Sequence, residues 1–583
     1  MKNAFPFARH VMKLVGSRRS ALERAHGRLV LLGAFFALAF ILIAARLVDL
    51  TVIQGDAFRR DGGVEIGATL AESVDPLPRA NIVDRNGVLL ATSLETPSLF
   101  VDPALVRDPA ALAAALVRAL PDVSYGDMLQ RLQRKGRFVW LSRNLTPAEQ
   151  YAVLEIGSPA LGFKTEYRRI YPQGDLAPHI VGYTDVDGRG LAGVERSFDN
   201  LLAAGEKTLE LTLDVRVQHI LRRELSAAAR TFSATGGAGV VLDIETGELL
   251  AAVSWPDFDP HFPGTADRTA LFNRLTLGVY ELGSTFKIFS TAALLDTQRG
   301  SLGRQFDARA PLQVGRFTIA DYHPEKRMLT VPEVFMVSSN IGAALMGEAV
   351  GTERLKAFYS DLGLFSPARL EIGEVGAPLI PSPWRDINTL TASYGHGIAV
   401  SPLQMVAAAS SIVGGGTLVR PRLILGRGAE VCDPAPCAKT AVRVVSPETA
   451  HRMRQLLRLV VAQGTGKHAD VPGYMVGGKT GTAEQPAAGG YSRRHLISSF
   501  VGFFPMDAPR YAVFIMLDGP HGTKESFGYA TGGWVAAPAV GKVIAAMGAL
   551  LGIAPENPAR GDMAESLSQY VHVEGESGVH ASE

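Results

Sequence analysis

Gly283-Ser284-Thr285-Phe286-Lys287, running on into Ile288-Phe289-Ser290-Thr291-Ala292-Ala293-Leu294-Leu295, sets a serine hydroxyl and a lysine amine three residues apart at the head of an apolar run. The run reads as a buried helix. Three residues are about one helical turn, so the two side chains share a face. A serine hydroxyl is a weak nucleophile until a neighbouring base takes its proton, and a partly desolvated lysine is such a base. At a helix start, Ser284 would also lie beside free backbone N–H groups and the positive end of the helix dipole. No other lysine of the chain has a serine three residues before it.

Two further motifs follow in order: Ser338-Ser339-Asn340 and Lys479-Thr480-Gly481-Thr482. Ser-x-Asn alone is weak, since Ser142-Arg143-Asn144 is a second copy. The ordered trio of Ser-x-x-Lys, Ser-x-Asn and Lys-Thr-Gly is the signature of serine acyl transfer in β-lactamases and penicillin-binding proteins. The chemistry fits. Ser284 Oγ attacks a carbonyl, Lys287 accepts its proton, and Ser338 relays that proton to the leaving amine. Asn340 holds Lys287 and the substrate amide. Lys479 keeps the local potential positive, which depresses Lys287 by like-charge repulsion. Thr480 and Thr482 offer hydroxyls to a substrate carboxylate. The N–H groups of Ser284 and Thr482 form an oxyanion hole, worth about 3 kcal/mol per donor. Gly477, Gly478 and Gly481 are expected to leave room for a substrate backbone added along a strand edge.

At 583 residues the chain holds two or three domains. A net charge of +1 argues against a nucleic-acid binder. Two cysteines are too few for a disulfide scaffold or a zinc site, and the 13 histidines show no ligand spacing, so no metal and no cofactor is expected. Leu29 to Ala45 is apolar throughout, and with its continuation to residue 50 is long enough to span a bilayer. Lys2, Arg9, Lys13, Arg18, Arg19, Arg24 and Arg28 precede it against Glu23 alone, which keeps the N-terminus in the cytoplasm and exports the rest. No convincing small-residue cleavage site follows, so the segment reads as an uncleaved anchor and not a signal peptide.

The expected organisation is a cytoplasmic tail over 1–28, a transmembrane helix over 29–50, a mixed region over 51–225, a second domain over 226–560 and a disordered, acidic tail over 561–583. Asn86-Gly87 signals a turn, and Pro103 to Ser142 has apolar residues at helical intervals. Ala238 to Asp243 and Leu249 to Ser254 read as a hairpin about Thr246-Gly247. Ser499 to Phe504 and Tyr511 to Leu517 read as two more strands, with Val535 to Leu551 as a closing helix. Strands early and late with helices between them predict one sheet assembled from both ends of the domain.

By these motifs the chain resembles the class B penicillin-binding proteins, peptidoglycan D,D-transpeptidases of the division (FtsI) type. The resemblance runs from the anchor to about residue 550. Besides the trio it rests on Arg79 with Asp84-Arg85-Asn86-Gly87, Arg169-Ile170-Tyr171-Pro172, His179-Ile180-Val181-Gly182-Tyr183 and Gly193-Val194-Glu195-Arg196-Ser197-Phe198. In the second half it rests on Leu242-Asp243 with Thr246-Gly247-Glu248, and on Tyr394-Gly395-His396-Gly397 through Gln404. One departure is Ala80, where a glycine commonly follows the arginine. The resemblance implies an α/β (α+β) fold: a membrane-anchored, elongated pedestal of dimerisation type, then a transpeptidase domain with a mainly antiparallel sheet flanked by helices, as in serine β-lactamases. It also implies stem peptides ending in D-Ala-D-Ala as substrate, β-lactams as covalent ligands of Ser284, and a place in the bacterial inner membrane with the catalytic domain in the periplasm. An FtsW-type polytopic glycosyltransferase and other division proteins are the implied partners.

Other readings fit parts of the sequence. Gly473-Tyr474-Met475-Val476-Gly477-Gly478-Lys479-Thr480 matches a phosphate-binding loop, but that loop must feed a helix. A β-lactamase needs a base for deacylating water, which no segment clearly supplies. A penicillin-binding sensor would tolerate loss of turnover, and an elongation-type transpeptidase shares all three motifs. Asp84-Arg85 reads as a structural ion pair, His396 as a loop hydrogen bond, and Cys432 with Cys437 as a small local disulfide in an oxidising compartment.

Overall fold

Asn86-Gly87 makes the turn its residues announce. Gly87 takes φ +81°, in the left-handed region open to glycine, and the apolar residues after it enter a strand. The computed structural model describes residues 37–38, 40–42, 77–297, 301–315, 317–426, 442–487, 490–555 and 561–572. The chain divides into two compact units, Met1–Asp75 and Pro76–Glu583. In the second, β1 (Ile82–Val83), β2 (Leu89–Val101), β3 (Val139–Ser142), β4 (Leu161–Ile170) and β5 (Leu209–Glu210) form one sheet of order β3-β2-β1-β5, with β4 also on β2. Helices α1 (Pro109–Ala119), α2 (Tyr125–Leu132) and α3 (Pro147–Leu154) begin at Asp108, Ser124 and Thr146, whose side chains accept the first free N–H groups. Leu99, Val101, Leu116, Met128, Leu141 and Val153 pack together between them. The helical stretch expected over 103–142 is therefore two helices and a strand. Val139 is β-branched and Trp140 aromatic, and both pair with β2.

Several stretches that carried the resemblance meet in one buried ion cluster. Glu195, fully buried, accepts Arg79 Nε at 2.6 Å and Arg169 Nε at 2.7 Å. Ala80 is buried in the core beside them. Asp84 and Arg85 do not pair with each other. Asp84 accepts the N–H groups of Asn86, Val88 and Val215, while Arg85 lies 3.2 Å from Glu248. Neighbours along a chain turning this tightly point apart.

Strands β6 (Gly236–Asp243) and β7 (Leu249–Trp255) form the predicted hairpin. Small ribbons follow, β8 (Gln305–Asp307) with β11 (Met328–Thr330) and β9 (Leu312–Val314) with β10 (Phe317–Ile319). Then β12 (Gly477–Ala487), β13 (Gly490–Phe504) and β14 (Tyr511–Asp518) complete an antiparallel sheet of order β12-β13-β14-β6-β7. Both ends of the domain thus build one sheet, as the strand placement predicts. Its central strands are apolar at nearly every position because both faces are covered. Val240, Leu242, Phe514 and Met516 face one core, which includes Leu403, Met405 and Ile412 of α8 (Pro402–Val413). Val241, Val513 and Ile515 face the other, packed against α4 (Val215–Thr231) and α10 (Gly532–Leu550). The boundary expected at 225 falls inside α4.

Helix α10 is long and apolar enough to cross a bilayer, yet Val535, Ala536, Val540, Val543, Ile544 and Met547 are buried on the sheet. It is a core helix. The expected anchor lies mostly outside the described residues; Leu38, Phe40, Ile41 and Leu42 within it are helical and exposed. Cys432 and Cys437 also lie outside them. The acidic tail, expected to be disordered, is ordered over its described part. Residues Met563–Tyr570 form a 3₁₀ helix with Ala564 and Leu567 buried, because those two apolar residues fit against the domain. Residues 573–583 lie outside the described set.

Candidate active site

Gly283 takes φ +53°, and a Cβ there would lie 2.5 Å from the Thr482 carbonyl oxygen. Glycine is what lets the chain enter the 3₁₀ turn Gly283–Phe286 pressed against β12. Across from it Gly395 takes φ +83°, where a Cβ would come within 2.1 Å of Gly283 O. The turn that carries Ser284 is thus wedged between β12 and the loop at Tyr394–Gly397. In a 3₁₀ turn residues i and i+3 eclipse, so Ser284 and Lys287, the first residue of α5 (Lys287–Leu295), come closer than an α-turn would bring them. Lys287 Nζ lies 3.0 Å from Ser284 Oγ.

The second motif joins α6 (Val331–Met336) to α7 (Asn340–Val350). Ser338 sits at φ +64°, a strained backbone for a serine, and the turn aims its polar atoms at Lys287. Lys287 Nζ donates to Ser338 O at 2.5 Å and Asn340 Oδ1 at 2.8 Å, and lies 3.1 Å from Ser338 Oγ. Lys479 Nζ approaches the same hydroxyl at 2.9 Å and stands 5.7 Å over the Phe335 ring. Five predicted residues, Ser284, Lys287, Ser338, Asn340 and Lys479, therefore share one polar network.

Both lysines are buried. Burial, then the charge of Lys479, pushes the Lys287 amine well below the ordinary lysine range, against an opposing pull from Asp321. Burial brings Lys479 down to about 7. His396 is held to about 4, first by burial and then by Lys287, so it is neutral at pH 7; the Tyr394 backbone, to which it hydrogen-bonds, pulls the other way.

The third motif lies mid-strand, Lys479 opposite Val501 and Thr480 opposite Phe500. No helix follows it, so the phosphate-loop reading fails on structure. Thr480 Oγ1 bonds Thr465 Oγ1 at 2.8 Å, and Thr482 Oγ1 accepts the Gly532 N–H at 3.1 Å. The glycines do something other than expected. A Cβ on Gly481 would lie 2.4 Å from Ser499 Oγ and 2.7 Å from Leu282 O; on Gly478 it would strike the Phe500 ring, and on Gly477 it would strike Met506. These glycines serve packing inside the domain. β12 is nonetheless the edge of its sheet.

Two residues escaped sequence reasoning. Asp321 accepts Asn340 N at 2.5 Å, Ile341 N at 3.0 Å and Ser339 Oγ at 2.7 Å, fixing the Ser338 turn and capping α7. Thr465 holds Thr480. Neither stands at a recognisable spacing from a motif.

Residues 237–545 match the model of the penicillin binding protein transpeptidase domain, and 74–220 that of the penicillin-binding protein dimerisation domain. The chain is 39% identical over 571 residues, 94% of each chain, to a protein of Caulobacter vibrioides named probable peptidoglycan D,D-transpeptidase FtsI. It is 31% identical to the probable peptidoglycan D,D-transpeptidase PenA of Neisseria gonorrhoeae, over 92% of this chain and 94% of that one. Among solved structures, apo penicillin binding protein 3 from Mycobacterium tuberculosis aligns with TM-score 0.64 at 28% identity, covering 83% of this chain and 98% of that one. With both domains present in this order, and with kinship along nearly its whole length, the chain belongs to the class B penicillin-binding protein transpeptidases.

Proposed function

We propose that this protein is a peptidoglycan D,D-transpeptidase that cross-links stem peptides through an acyl-enzyme on Ser284. The observation that carries the reading is the surroundings of Lys287 Nζ. Two carbonyl oxygens, Ser338 O and Asn340 Oδ1, lie at 2.5 and 2.8 Å and can only accept. A neutral amine has two N–H groups to satisfy them and one lone pair left, and Ser284 Oγ lies 3.0 Å away to donate into it. That is a base poised on its nucleophile.

Ser284 Oγ adds to the penultimate D-Ala carbonyl as Lys287 takes its proton, with the oxyanion on the N–H groups of Ser284 and Thr482. The proton passes by Ser338, which both lysines approach, to the departing amine of the terminal D-Ala. An amine on a second stem then attacks the acyl carbon, gives its proton to Lys287, and Ser284 leaves protonated. Lys479, Thr480, Gly481 and Thr482 line the terminal carboxylate's place. Fluorescent penicillin should label the wild-type chain and fail to label Ser284→Ala; label retained in the variant overturns the assignment.

The cellular reading extends this one. Residues 29–50 anchor the chain in the inner membrane with a cytoplasmic tail, residues 51–225 form a pedestal, and residues 226–560 work in the periplasm beside an FtsW-type glycosyltransferase and other division proteins. The FtsI name of the Caulobacter relative supports a septal role. Depletion should give filaments; rounded cells would mark an elongation enzyme instead.

A further inference from the structure

The loop that follows β7 reaches across to the dimerisation domain and grips it. Arg222 of α4 pairs with Asp257 of this loop at 2.6 Å and with Asp175 across the seam at 2.5 Å. The Phe258 ring meets His179 in a T at 5.1 Å and Tyr183 at 5.7 Å. His261 accepts the backbone N–H of Tyr171 on Nε2 at 3.0 Å. The short helix Arg268–Leu271 adds one more contact, with His179 Nε2 2.6 Å from Ala270 O. Tyr171, Asp175, His179 and Tyr183 belong to the dimerisation domain, and residues 257–271 to the transpeptidase domain.

Both histidines bind here as neutral rings. Ala270 O can only accept, so His179 Nε2 carries a hydrogen. Burial brings His179 down to about 4; the Ala270 carbonyl opposes this, and the charge of Arg274 adds to it. His261 holds the other tautomer. The Tyr171 N–H can only donate, so Nε2 is bare and Nδ1 carries the hydrogen, 2.7 Å from Asp259 Oδ1. A ring protonated on both nitrogens keeps Asp259 and loses Tyr171.

The charged and titratable groups around the pair come from several elements. Arg274 faces His179. Asp259 faces His261 from its own loop, and Tyr171 faces it from the end of β4, its phenol kept un-ionised by burial. Behind Tyr171 stand Glu195 and Arg169, paired with each other. Asp175, Arg222 and Asp257 form the ion cluster beside them.

We propose that this seam is an acid-released clasp: two histidines that bind only as neutral rings join the domains, and their protonation frees the dimerisation domain from the loop and from helix Arg268–Leu271. The clasp is independent of the acyl-transfer reading. Its sign follows from linkage. An opened seam returns His179 to water and to its ordinary value of 6.5. The closed seam therefore holds stability that is complete above about pH 6.5 and is lost as pH falls toward 4. Acid would uncouple the two domains by local opening, without touching Ser284.

Hydrogen exchange read by mass spectrometry tests this, on the full-length chain at pH 7 and pH 4.5 with rates corrected for intrinsic exchange. Peptides covering 168–183 and 266–274 should lose protection about fiftyfold, the ratio linkage gives for a group moving from about 4 to 6.5. A peptide from β14 should keep its own. His179→Gln, which retains a donor for Ala270 O, should remove most of the loss. His261→Gln, which retains an acceptor for the Tyr171 N–H at a partly exposed position, should reduce the loss over 168–183 at least about threefold. That second variant keeps the inference testable if glutamine at 179 prevents folding. A wild type that loses less than about threefold, variants that lose as much as the wild type, or a β14 that opens in step with the seam overturns the clasp.

Discussion

In the proposed reaction Lys287 acts only while neutral, and burial beside Lys479 lowers its pKa in that direction. The sign of the pH dependence follows. Below its depressed pKa the amine is protonated and no base faces Ser284. Acylation by penicillin should rise as pH increases through that value and level off short of the ordinary lysine range near 10.4; a stopped-flow pH profile checks this. A profile still climbing at pH 10 would mean the amine is not depressed. Lys479 gives a second, opposite-looking prediction. Its pKa is about 7 in the folded chain, below the unfolded value. The unfolded state therefore binds the extra proton between about pH 7 and 10.4, and stability rises with pH across that window. At pH 7 the burial of this group costs the fold. Lys479→Met, which keeps contact with the Phe335 ring, should melt a few degrees higher while acylating at least about a hundredfold more slowly. A variant that melts lower would show the ammonium to be stabilising.

At the scale of elements, the site is two turns and a strand held apart by hydrogen atoms where side chains would be. Gly283→Ala places a methyl 2.5 Å from Thr482 O, on backbone that cannot step aside, at φ +53°. Acylation should fall about a hundredfold or more, with stability lowered by the strain and the shifted strand. Gly87→Ala is the control. At φ +81° with nothing within 4 Å it should cost only the left-handed penalty of about 1 kcal/mol and leave penicillin labelling unchanged. The contrast also shows what was legible beforehand. The grouping of Ser284, Lys287, Ser338, Asn340 and Lys479 was readable because the proposed chemistry needs a few residue types at short fixed offsets within each of three motifs. The hairpin of β6 and β7 was readable because its turn residues and apolar runs are local. The purpose of Gly477, Gly478 and Gly481 was not, since it depends on Met506, Phe500 and Ser499 lying opposite or beneath them. Asp321 was hidden for the same reason. It caps α7 across nineteen residues to Asn340, and nothing local marks it.

At the scale of the whole molecule, the last described residues of the chain reach back to the second motif. Asp562 pairs with Arg458 of α9 (Pro447–Ala462) at 2.7 Å, and Leu567 is buried. Tyr570 O accepts Thr330 Oγ1 at 2.7 Å, and His572 N donates to Glu333 at 3.0 Å. Thr330 caps α6, the helix that ends two residues before Ser338 and carries Phe335 beneath Lys479. Within the stretch whose composition reads as disordered, residues 561–572 thus form a strap across the element that carries Ser338 at its end. Removing residues 561–583 should lower the melting temperature by several degrees, since burial of Leu567 alone is worth about 1.5–3 kcal/mol. Acylation should slow several-fold as α6 loosens. The pH dependence separates the carboxylate contacts from the apolar one. Burial pushes the Glu333 carboxyl up, but N–H groups of His572 and Thr330, with Arg327, outweigh it and hold the group at about 2. A depressed carboxyl contributes stability that is complete above its unfolded value near 4.5 and is lost as pH falls toward 2. The melting-temperature gap between full-length and shortened chains should therefore be widest at neutral pH and narrow between about pH 4.5 and 2. A gap that stays constant across that range would assign the strap's contribution to the burial of Leu567 rather than to its carboxylate contacts.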